Sequence, residues 1–77
     1  MSPAIEEELA PKARLSALDT LISETTSLIE DQVELIKEAD LVGESTKDAN
    51  HTLDILLELQ ASQLVHRERL QEELKRP

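Results

Sequence analysis

From Pro11 to Val42 the apolar residues recur every seven positions in adjoining columns. One column is Leu15, Ile22, Ile29 and Ile36, and a second is Leu21, Leu28, Leu35 and Val42. Leu18, Thr25, Gln32 and Ala39 lie between them. Seven-residue spacing in neighbouring columns predicts a helix that supercoils or joins a bundle. A two-stranded zipper uses a narrow seam, so this wider stripe suits contact with more than one neighbour. Residues 49–74 repeat the pattern with more polar interruptions. Their columns are Asn50, Leu57, Leu64, Gln71 and Ala49, Leu56, Gln63, Leu70, with Leu53, Gln60, Arg67 and Leu74 between. The seven-residue count passes from the first half to the second without a slip, as it would in one unbroken coiled-coil helix.

Local chemistry around the stretch DLVGESTKDA predicts a turn instead. Gly43, the single glycine of the chain, suits the left-handed conformation that ends a helix. Ser45 can cap a new helix, with Asp48 three residues on as a weak form of the capping box. Lys75 and Arg76 suit the negative end of a helix that began near Thr46. A lone glycine inside a helix costs only about 1 kcal/mol relative to Ala, so it is the combination that favours reversal. The expected layout is helix one at about 11–42, a turn at 43–45 and helix two at about 46–76. Pro11 removes a backbone donor, so residues 1–10 are expected as a loose or short helical segment. Fold-back brings Lys12 and Arg14 beside Glu68, Glu72 and Glu73, with opposed residues numbering about 89 together.

An all-α antiparallel hairpin leaves a surplus of aliphatic side chains. The core or interface is expected to comprise Leu15, Leu18, Leu21, Ile22, Leu28, Ile29, Leu35, Ile36, Leu53, Ile55, Leu56, Leu57, Leu59, Leu64, Leu70 and Leu74. Two helices cover one stripe of each other, yet TLDILLELQASQLV is apolar on several sides. Oligomerisation into a four-helix bundle is the simplest closed solution, and a partner chain supplying helices is the alternative. Thr25, Gln32, Gln60 and Gln63 are expected to set register, because polar groups in a coiled-coil core trade stability for specificity.

Composition sharpens this expectation. The 77 residues contain no Phe, Tyr, Trp or Cys, so neither large aromatic burial nor a disulfide or thiolate zinc site supports the core. Small domains without such supports tend to associate. The net charge is −9, and the segment from Leu15 to Glu58 alone holds eleven acids against two bases. That field repels phosphate backbones and attracts basic partners. The N-terminal segment lacks the basic and apolar regions of a signal peptide, so a cytoplasmic location is expected.

Candidate chemistry adds little. His51 has Asp48 and Asp54 three residues to either side, but metal binding needs three or four converging ligands. Glu30, Asp31, Glu34 and Glu38 form an acidic patch, without the paired acidic helix motifs of all-α nucleotide pyrophosphatases. No Ser/His/Asp set, phosphate loop or Cys nucleophile is present. Arg67, Arg69, Lys75 and Arg76 alternate with Glu68, Glu72 and Glu73, with no aromatic to stack on a base. Gln60 between Leu53, Leu57 and Leu64 resembles the central polar layer of vesicle-fusion (SNARE) coiled coils over LDILLELQASQL alone; Arg67, Gln71 and Gly43 depart from that pattern.

The expectation is therefore a non-enzymatic interaction module without a cofactor: a helical oligomerisation, adaptor or scaffold subunit binding helices or a basic surface. The alternatives are a small nucleic-acid-binding hairpin dimer and an acidic metal-binding helical protein.

Overall fold

A computed structural model describes the backbone of residues 3–76 and the side chains of residues 11–76. It contains two helices, α1 at Pro3–Leu41 and α2 at Lys47–Lys75, packed against each other as a hairpin. At about 1.5 Å per residue, the 39 residues of α1 account for the longest dimension of the molecule, 59 Å.

Helix α1 carries Pro11 inside it and begins at Pro3, eight residues before the expected start. Pro11 lacks a donor and its ring crowds the carbonyl four residues earlier, yet the helix runs through it. Of the expected loose or short helical segment 1–10, the backbone of residues 3–10 is helical and joins α1 without a break, while Met1, Ser2 and the side chains of residues 3–10 lie outside the described set.

The reversal is built by Gly43, whose φ of +76° is the left-handed conformation. Its N–H donates to the carbonyl of Asp40 (3.2 Å), and the Glu44 N–H donates to that of Ala39 (2.9 Å). These are the two bonds of a Schellman ending, which satisfies carbonyls that the helix itself leaves open. Helix α2 starts one residue later than expected, with Thr46 at the cap position, but the Thr46 side chain makes no capping bond. Its hydroxyl oxygen accepts from Asn50 Nδ2 instead (3.1 Å), while Ser45 Oγ accepts the Lys47 N–H at 3.4 Å. Asp48 lies in the first turn and Lys75 in the last, each placed favourably for the helix dipole.

The seam runs the length of the hairpin. On α1 its less exposed residues are Leu15, Leu18, Ile22, Thr25, Ile29, Gln32, Ile36 and Ala39; on α2 they are Ala49, Leu53, Leu56, Gln60, Gln63, Arg67 and Leu70. Steps of three and four alternate on both helices, the spacing of a coiled-coil interface. Leu18 (6% exposed), Leu70 (2%) and Thr25 (3%) are its buried members. Register is fixed by bonds that cross the seam. Arg14 meets Glu73 at 3.9 Å, Gln60 Nε2 donates to Thr26 Oγ1 at 3.2 Å, and Arg67 Nε pairs with Asp19. Paired numbers thus total 86 or 87, a shift of two or three from the expected 89.

Candidate protein-interaction surface

The crossing bonds also distinguish the two flanks of the seam. Arg14 directly precedes Leu15, and Glu73 directly precedes Leu74. Their ion pair identifies the flank that holds residues one before those seam columns: Leu21, Leu28 and Leu35 on α1, and Thr52, Leu59 and His66 on α2. Val42, just past the end of α1, continues the same column, and Ile55 stands in the next row outward on α2. The opposite flank is that of Asp19 and Thr26, which receive Arg67 and Gln60. It carries Val33 of α1 with Leu57 and Leu64 of α2.

The flanks are unequal. Six aliphatics lie on the first, the Leu28 flank, and all are exposed: Leu28 by 53% and Val42 by 70%. A hollow of about 260 Å³ lined by Leu35, Glu38, Ala39, Val42 and Glu44 opens at its turn end. On the second, the Thr26 flank, Leu57 and Leu64 are exposed while Val33 and Thr26 are half-buried. Leu41 and Val65 point away from both flanks and are exposed.

Set against the expected core, the seam holds Leu15, Leu18, Ile22, Ile29, Ile36, Leu53, Leu56 and Leu70. Leu21, Leu28, Leu35, Ile55, Leu57, Leu59 and Leu64 stand outside it, and Leu74 is exposed near the open end. The four polar residues Thr25, Gln32, Gln60 and Gln63 all lie in the seam. Gln60 bonds Thr26, and Gln32 Nε2 donates to the Ala49 carbonyl at 2.9 Å. Gln63 differs: its Oε1 is buried with no hydrogen-bond partner. A buried acceptor left unmatched costs on the order of 1–3 kcal/mol.

Charge is segregated along the hairpin. The half nearest the turn, residues 28–59, has nine acids and two bases, a net −7. The open half, residues 11–27 and 60–76, has five acids and six bases, a net +1. Lys37 pairs with Glu34 at 3.4 Å within the acidic half. His51, Asp48 and Asp54 are exposed. Among the described residues no three His, Cys, Asp or Glu side chains gather where they could hold a metal ion. Nor, among those residues, is any helix long and apolar enough to cross a membrane.

The Asp19–Arg67 pair was not anticipated from sequence. Its signal was available in the pattern, since Arg67 interrupts an otherwise apolar or amide column and an inward base needs an acid within reach. No protein family, characterised protein or solved structure matches the chain.

Proposed function

We propose that this hairpin is a non-enzymatic interaction module that completes its core by packing further helices against the Leu28 flank, giving a four-helix arrangement. Its role is that of an oligomerisation, adaptor or scaffold subunit. The column Leu21, Leu28, Leu35 and Val42, exposed beside a seam that already fixes both helices, supports this most strongly. The seam alone is thin: among the described residues two apolar side chains are buried, Leu18 and Leu70. Contiguous aliphatic surface of this kind marks an interface.

The acidic turn half suits a partner that brings basic residues to it.

Sedimentation equilibrium combined with denaturation tests the proposal. The expected result is either a mass above 8.6 kDa or a monomer that is only weakly stable by itself. A monomer that unfolds cooperatively with the stability of a finished domain contradicts it.

A further inference from the structure

We infer that the occupant of the Leu28 flank is a second copy of this chain lying antiparallel to the first, so that the turn end of each covers the open end of the other. This rests on the interaction-module reading above and adds the partner and its orientation.

Charge selects the orientation. In a parallel pair the two turn halves, each at net −7, lie side by side, and the two open halves, each at +1, do the same. An antiparallel pair places −7 against +1 twice. Like charges repel across such short distances, and salt weakens the repulsion without removing it. The bases at the open end of this flank are Arg69 and Arg76, in the row of Ile55, opposite the Glu38, Glu44 and Asp48 of the other copy.

Size and symmetry agree. The aliphatic column from the level of Arg14 to Val42 is about 42 Å long at 1.5 Å per residue. The middle dimension of the molecule is 23 Å, so the face offers on the order of 1,000 Å² per copy, enough for the roughly 800 Å² that each partner of a stable pair covers. A two-fold axis through the level of Leu28 and Leu59 sets the same patch on both copies against itself, as an isologous dimer requires. It brings Leu21 of one copy near Leu35 of the other, and Arg14 near Val42, so apolar rows meet apolar rows in the middle and opposite charges meet at the ends.

Spin labels on single cysteines test the orientation, and the absence of native cysteine makes the labelling clean. Glu24 and Glu38 are exposed and lie one row outside the column, so Glu24→Cys and Glu38→Cys leave the apolar face intact. About the proposed axis, the two Glu38 labels are offset by about 30 Å along the dimer and the two Glu24 labels by about 12 Å. Electron–electron distance measurement on each variant is expected to give the longer separation for Glu38. Equal separations in the two variants overturn the antiparallel arrangement and leave the interaction module standing as a parallel assembly. A monomer at millimolar concentration overturns the second copy as occupant. If that monomer is weakly folded, the module still stands with a different chain as its partner; if it is stably folded, both proposals fail.

Discussion

Replacing Gly43 by Ala discriminates a hairpin from a continuous rod, and the structure fixes the sign. Gly43 has a φ of +76°, and a Cβ built on it meets nothing within 4 Å. The penalty is therefore purely conformational, with no clash in it. An L-residue held in the left-handed region costs about 1–2 kcal/mol. Alanine also narrows the unfolded ensemble by about 0.4–1 kcal/mol in its favour, leaving a net loss of about 1 kcal/mol. For a small domain with a urea dependence near 1 kcal/mol per molar, the unfolding midpoint should fall by about 1 M. Far-UV circular dichroism during urea titration reads both the midpoint and the helix content. Gly43→Asn is the control, because Asn enters the left-handed region more easily and should recover much of the loss. An alanine variant that gains both helicity and stability refutes the turn, since alanine is favoured over glycine inside an uninterrupted helix by about 1 kcal/mol.

Three further substitutions probe the seam and the outer face. Leu18→Ala should cost about 2–5 kcal/mol because its side chain is buried, whereas Leu41→Ala, at a position 86% exposed, should change stability by no more than about 0.5 kcal/mol; equal effects in urea titration contradict the assignment of inner and outer faces. Gln63→Leu removes a buried acceptor without a partner and should stabilise the chain by about 1 kcal/mol, seen as a higher thermal midpoint; a clear loss shows that Gln63 is hydrogen-bonded in solution.

The hairpin was legible because Gly43 carries local chemistry that acts regardless of distant contacts, whereas the expected cap of Ser45 with Asp48 is not formed, since Thr46 takes the cap position without a side-chain bond. The Schellman bonds of Gly43 and Glu44 follow from that chemistry, and the Arg14–Glu73 pair follows from the reversal. Which columns face inward was less legible. Periodicity placed three adjacent columns on each helix, and a two-helix seam uses two of them. On α1 the column left out is Leu21, Leu28, Leu35 and Val42; on α2 it is Asn50, Leu57, Leu64 and Gln71. In a continuous helix those two columns are not continuations of each other, so helix two is effectively rotated by one column relative to the unbroken count. That rotation depends on the turn geometry and on side chains crossing the seam, such as Gln60 to Thr26, which spacing alone does not encode. Pro11 misled for a related reason: its cost is local and bounded, and a helix of 39 residues absorbs it.

Whether one hairpin is a finished fold is decided by unfolding the chain in urea at a few micromolar and again at several hundred micromolar. If the Leu28 flank is covered by a second copy, the midpoint rises with concentration, because association stabilises only the folded form. Identical, steep transitions of high stability at both concentrations would mean that the aliphatic column is content in water and that no further helices are needed.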